Sequence, residues 1–429
     1  MELLKYTLNQ VSYAIVSPTY SLFLILIAII FYIKNKKASK LQQLIIGVKG
    51  MSAFEMTISQ IVMSILGGVL ASVLIIFLGI NFDINSSIYI IFLISVILMM
   101  FKPRFICLSY SGAILGIISI VSMILSRVLN NPKLYIFNIN IMNLIALVGV
   151  MHLVEGILVM IDSRRGSVPV FANRDNNIIG GFIFNRYWSI PVVLFISLLA
   201  TTTGGEAIAT PNWWPLLNHN ANKVLFETLA FSALPIYAIS AYSNITFTKT
   251  KVQKTITSGI LISIFGLILI IISPLANLGV IWEIALLILM PLIHEAVMFL
   301  DKRKEGTGKP AFVSPEDGFI ILDVAPNSCG KELGLKSGDI ILKINDIFMS
   351  NDEEISVITN ELPSNLIMKI RNKYGKVIEL EKNNIKSGTR LGVVVVPRVL
   401  PDKKKVWKVE ESFHSILEKA KNAKKDINE

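Results

Sequence analysis

"VAPNSCGKELGLKSGDIILKIND", residues 324–346, is the stretch that decides the C-terminal fold. It follows an apolar strand run, "DGFIILDV", residues 317–324. "APNSCGKELGL" reads as a turn and a short helix closed by Gly334, a residue type suited to ending helices. "KSGD" supplies a turn whose glycine tolerates positive φ, and "IILKIND" a strand closed by an Asn-Asp turn. Downstream, "SNDEEISVITNEL" (350–362) predicts a second helix with Asn351 or Asp352 as N-cap and acidic residues in its first turn. "NLIMKIRNKYGKVIELEK" (365–382) predicts a hairpin turning at Lys373–Lys376, and "LGVVVVP" (391–397) a final strand. Residues 311–397 therefore read as a small α/β domain.

Upstream the composition is different. The chain has 429 residues, 53% hydrophobic and 17% charged, against roughly 25% charged in a soluble domain. That points to an integral membrane protein, with residues 1–300 forming a polytopic α-helical bundle. Runs of about 20 apolar residues cross a bilayer core. Nine candidates, good to about one, lie near 11–33, 56–80, 87–101, 105–128, 139–161, 188–203, 225–245, 255–275 and 277–299. Two of them, 87–101 and 188–203, are short enough to be re-entrant. Pro191, Pro235 and Pro291 are expected to kink their spans. Alternate loops, at 34–50, 102–104, 162–187, 246–254 and 301–309, carry 18 Lys and Arg; the intervening ones carry 4. Positive charge resists translocation, so this contrast predicts a plasma-membrane protein with its N-terminus outside and its C-terminal domain in the cytoplasm. Residues 301–310 read as a linker. Residues 398–429 read as a basic helical tail, with Val406, Val409, Phe413, Ile416, Leu417 and Ala420 on one face for a lipid surface or a protein. The net charge of +11 follows from loops and tail; no aromatic-interleaved basic domain suggests nucleic acid.

Polar residues inside the spans are the candidates for chemistry. "LIHEAVMF" (292–299) carries His294 and Glu295 as in the H-E-x-x-H zinc motif, but Met298 stands at the second histidine. A zinc site needs about three protein ligands, so no metal, cofactor or catalytic residue is expected, and the protein is read as non-enzymatic. In "HLVEG" (152–156), His152 and Glu155 share a helix face. These four groups suit a structural polar network, a proton or ion path, or a solvated cluster. Of the two cysteines, Cys107 lies in an expected span and Cys329 in the C-terminal domain, which suggests neither a disulfide framework nor a Cys-based metal site.

The stretch 324–346 resembles bacterial PDZ domains, which read roughly V-x-P-x-S-P-A-x-x-A-G-L-x-x-G-D-x-I-L-x-I-N-G. Val324, Pro326, Ser328, Gly334, Leu335, Gly338, Asp339, Ile340, Leu342, Ile344 and Asn345 match; Cys329, Gly330 and Asp346 depart. The resemblance implies a groove that adds an extended peptide to a sheet edge and holds its end in a backbone nest. "RLGVVVV" fits such a nest, with Arg390, Leu391, Gly392 and Val393, and Ile355 and Ile358 on the second helix would form the opposite wall. A plain edge strand is the alternative. A multi-span bundle with one cytoplasmic PDZ domain further resembles the MinJ-type topological determinants of cell division. That resemblance implies a scaffold at septum and poles that links DivIVA to MinD. A PDZ-bearing docking subunit for a membrane protease or secretion system, and a membrane enzyme or transporter, are the competing classes.

Overall fold

The computed structural model describes residues 2–48, 50–83, 85–101, 103–135, 137–175, 177–199, 213–217, 229–349 and 351–399. From position 400 onward the expected tail helix lies outside them. The N-terminal part comprises α1 (Glu2–Val16), α2 (Pro18–Ile46), α3 (Ala53–Leu78), β1 (Asn81–Asp83), α4 (Ile90–Phe101), α5 (Leu108–Val128) and α6 (Ile141–Asp162). Three strands follow, β2 (Ser167–Arg174), β3 (Asn177–Leu199) and β4 (Leu229–Thr246), then α7 (Lys251–Ile272) and α8 (Val280–Thr307). Among the described residues six helices, α2, α3, α5, α6, α7 and α8, are long and apolar enough to cross a membrane.

The strands correct two expected spans. Residues 188–203 and 225–245 were expected as helices; 188–199 and 229–245 belong to β3 and β4, paired antiparallel from Phe182↔Thr246 to Leu199↔Leu229. Pro191 and Pro235 sit in this ladder and kink no helix, whereas Pro291 does lie inside α8. The run 87–101 yields only the 12-residue α4, which turns through a 3-10 segment, Pro103–Ile106, into α5. The expected linker also changes: α8 continues without a break to Thr307.

A strand inside an apolar bundle has to have its backbone groups satisfied by protein. β3 pairs with β2 over 177–184 and, in parallel, with β1 over 195–197. Between these patches its edge meets α3. Gln60 donates to the Tyr187 carbonyl. Ser64 Oγ accepts from Ser189 N at 3.1 Å, and Ser72 Oγ accepts from Val193 N at 3.0 Å. Gly68 lies between them, and a Cβ there would collide with the Pro191 carbonyl. Gln60, Ser64, Gly68 and Ser72 are four residues apart on the helix, a rise of about 6 Å, and their contacts are two residues apart on the strand, about 6.6 Å. The one position without a polar side chain, Gly68, faces proline, which has no N–H to satisfy.

α6 and α7 meet through glycines. A Cβ on Gly149 or Gly156 would run into the α7 backbone at Gly266 or Gly259, and the reverse holds. Small residues of this kind let membrane helices approach closely. Two charged centres join helices to strands. Asp162 at the end of α6 takes Arg186 Nε at 2.7 Å and Trp188 Nε1 at 2.9 Å from β3, with Ser59 and Arg165 also bound. Lys254 of α7 binds Asp301 at 2.7 Å and Glu305 at 3.2 Å on α8, and these carboxylates accept from Asn244 and Thr246 of β4.

The C-terminal domain follows the expected order: β5 (Phe319–Val324), α9 (Cys329–Glu332), β6 (Ile340–Ile344), β7 (Ile347–Phe348), α10 (Asp352–Asn360), β8 (Leu366–Arg371), β9 (Val377–Lys382) and β10 (Val393–Val395). The sheet order is β10-β5-β6-β8-β9, with β7 on β6. Asn351 caps α10 by accepting from Glu354 N. One face of this sheet is not free. Ile320, Leu322, Val394 and Val396 share a core with Phe182, Phe312 and the helical bundle. Lys251 binds Asp323 at 2.7 Å across the junction.

The zipper between α3 and β3 is open to mutation. Ser64→Ala and Ser72→Ala each orphan a buried strand N–H and are expected to cost about 1–3 kcal/mol. Ser122→Ala, whose hydroxyl only bonds its own helix at Ser119, is expected to cost under about 0.5 kcal/mol. Thermal unfolding of the detergent-solubilised protein compares them. Equal melting of all three would remove the zipper as a stabilising element.

Candidate functional site

Among the described residues β10 is an edge strand, paired with β5 alone. α10 is held along its other side at both ends. Leu391 N, just before β10, donates to the Thr359 carbonyl, while Arg398 N and Val399 N, just after it, donate to Asp352. Helix and strand therefore run side by side in opposite directions. Ile355 is buried in the domain core and Ile358 packs at its margin.

The four loop residues singled out from sequence have distinct roles. Leu391 is buried, and besides its bond to Thr359 its carbonyl accepts from Gly330 N at 2.8 Å. Gly392 has φ +71°, a left-handed conformation. Its carbonyl accepts from Ala325 N, and a Cβ there would strike Ser328 and approach Val48. Val393 opens β10 opposite Val324. Arg390 NH1 donates to the Gly47 carbonyl at the end of α2, so this loop abuts the membrane part. The Leu391 N–H is thus already committed to the domain's own helix, and Gly392 is required by φ and by packing as well as by any ligand.

A second cluster lies inside the bundle. The sequence suggested that His152, Glu155, His294 and Glu295 meet; the structure adds Cys107 and separates Glu295. Cys107 caps the N-terminus of α5, at the hairpin turn from α4. His152 Nε2 is 3.0 Å and His294 Nε2 3.4 Å from its sulfur. The ligating atoms of all three lie within 4.8 Å of one another. His152 Nδ1 is 2.8 Å from the Val148 carbonyl, an acceptor, so Nδ1 carries the proton and Nε2 presents its lone pair inward. Ser109 Oγ is 3.2 Å from that same Nε2. Phe265 and Tyr110 wall the cluster, with ring centroids 4.9 Å from His152 and 5.5 Å from His294 respectively. Glu155 is close enough to interact electrostatically with Cys107 and both histidines. Glu295 turns away and accepts from the Tyr110 hydroxyl. The incomplete H-E-x-x-H thus contributes one residue, His294, to a different constellation.

The sequence reading gave Cys107 no place in this cluster, for a topological reason. The partners of Cys107 are 45 and 187 residues away, on α6 and α8. The other thiol, Cys329, packs in the C-terminal core, where burial pushes its pKa up and keeps it protonated.

No family model matches the chain. Over 174 residues, 40% of its length and 40% of the relative's, it is 22% identical to the cell division topological determinant MinJ of Bacillus subtilis. Over 68 residues, 16% of its length and 20% of the relative's, it is 34% identical to the serine endoprotease DegS of Haemophilus influenzae. The chain therefore matches less than half of either protein.

Two glycines separate conformational from packing roles. Gly338 has φ +94° and open space around its missing Cβ, so Gly338→Ala is expected to cost about 1 kcal/mol from φ alone. Gly392→Ala adds a collision with Ser328 and is expected to cost at least about 2 kcal/mol. Denaturant unfolding of the two variants checks the order; a larger loss at Gly338 would mean that the loop at Gly392 relaxes freely.

Proposed function

We propose that the chain is a non-enzymatic membrane adaptor whose C-terminal domain binds protein partners as a PDZ domain does, in placing the cell-division machinery. The observation that carries this is the unpaired edge of β10 beside α10. An extended peptide adds to such an edge by main-chain hydrogen bonds, and pockets for alternate side chains give selectivity. Ile358 on α10 and the loop Arg390–Val393 lie beside this edge. The similarity to MinJ, a protein named for its part in division topology, supports the biological setting. By that analogy the partners are DivIVA and MinD, and the protein concentrates at septa and poles. The loop charge bias supports an external N-terminus and a cytoplasmic C-terminal domain.

A second reading is a docking or regulatory subunit for a membrane protease. The local similarity to DegS favours it.

A fluorescent fusion of the full chain in its own cells distinguishes the two. Enrichment at septa and poles, with DivIVA and MinD recovered on the tagged protein, is expected. Ile358→Lys should lower that recovery about tenfold or more, roughly 1.4 kcal/mol of binding. Uniform membrane distribution with a co-purifying protease would favour the second reading and end the first. Reporters fused after Lys309 and within 204–224 should respond as cytoplasmic and external respectively. The opposite pattern would exclude a cytosolic division partner.

A further inference from the structure

We infer that Cys107, His152 and His294 form a binding site for a zinc-class divalent metal ion inside the bundle, with Glu155 as a nearby counter-charge. This inference is independent of the adaptor reading. Three observations carry it. The donors are a sulfur and two imidazole nitrogens, the set that tetrahedral zinc prefers. Zinc bonds of about 2.3 Å to sulfur and 2.0–2.1 Å to nitrogen put S···N edges near 3.5 Å. The contacts of 3.0 and 3.4 Å are already close to that, so an ion enters with small movements of the rings.

The tautomer fits as well. Histidine ligands are commonly oriented by a hydrogen bond from the ring nitrogen that does not bind the metal. His152 has this arrangement, with Nδ1 bonded to Val148 and Nε2 turned to the sulfur. His294 Nδ1 has no hydrogen-bond partner among the described residues, so its ring can swing to complete the geometry.

Charge selects the ion. On binding, the Cys107 S–H bond breaks, an S–metal bond forms and the proton leaves to solvent. A divalent ion with one thiolate and two neutral imidazoles carries one positive charge, which is costly in a low-dielectric interior. The Glu155 carboxylate, one turn from His152, brings the total to zero. A monovalent ion would already be neutral with the thiolate and would leave Glu155 uncompensated.

The depth suits an enclosed site. His152 is ten residues from Asp162 and His294 seven from Asp301, so the cluster lies about 10–15 Å in from the charged end of the bundle.

The test uses the full chain in mild detergent. Protein loaded with zinc and dialysed against a weak chelator is expected to hold one ion per chain. Cys107→Ser, His152→Ala and His294→Ala should each reduce this at least tenfold, and Cys329→Ala should leave it unchanged. Glu155→Gln should weaken retention without abolishing it. Cobalt-loaded protein should show a near-ultraviolet thiolate-to-cobalt charge-transfer band and tetrahedral visible bands. Cys107→Ser should lose the charge-transfer band, and Cys329→Ala should keep it. Wild-type protein without stoichiometric zinc and without the cobalt band overturns the inference whatever the variants do. Zinc retained equally by the Cys107 and His294 variants would mark adventitious binding elsewhere and also overturn it.

Discussion

The hydrogen-bonding capacity of one buried strand edge governs this structure. In an apolar bundle an unpaired backbone N–H or C=O costs several kcal/mol, and a strand edge presents such groups in series. β3 is tolerable because that edge meets protein partners in turn: β2, the polar stripe on α3, and β1. The fit to α3 rests on a coincidence of repeats, four helical residues against two strand residues. It also explains why Gln60, Ser64 and Ser72, which are costly on a lipid-facing helix, are buried.

That strand links the two halves of the molecule. Its first residues form the surface on which the C-terminal domain rests, where Gly180 N donates to the Phe312 carbonyl and a Cβ at Gly180 would strike Val396 and Leu322. Arg186 and Trp188, further along, are clamped by Asp162. An ion pair this deep is weak as a source of stability, because desolvation offsets its attraction. Its effect is positional: removing Asp162 leaves a buried guanidinium without its carboxylate, so β3 is held in one register against α6.

The C-terminal domain was legible because its signals are local. Hydrophobic runs alternate with turn residues at fixed offsets, and Gly334, Gly338 and Gly392 stand where φ is positive. The β3–β4 hairpin was not. "WSIPVVLFISLL" (188–199) has no period-two alternation, since both faces of the strand are buried, and a continuous apolar run reads the same as a membrane helix. The available clues were the β-branched Ile190, Val192, Val193 and Ile196 and the prolines at 191 and 235, each costly inside a helix. The Cys107 cluster left only a partial trace. Its histidines stood out as ionisable groups in apolar runs, but the sulfur that joins them comes from a hairpin turn that only the tertiary fold brings to them.

α6 connects these features. Gly149 and Gly156 lock it against α7, and His152 lies between them, so the imidazole is held on a helix with little room to shift. Ten residues on, the same helix ends at Asp162, which fixes β3 and, through β3, the seat of the C-terminal domain. Cys107 and His294 belong to elements packed more loosely around this post: a hairpin turn and a proline-containing helix. α8 carries Asp301 and Glu305, the anchors of β4, and ends at Thr307, ahead of β5. The helix that brings His294 to the intramembrane cluster is thus the one that anchors β4 through Asp301 and Glu305.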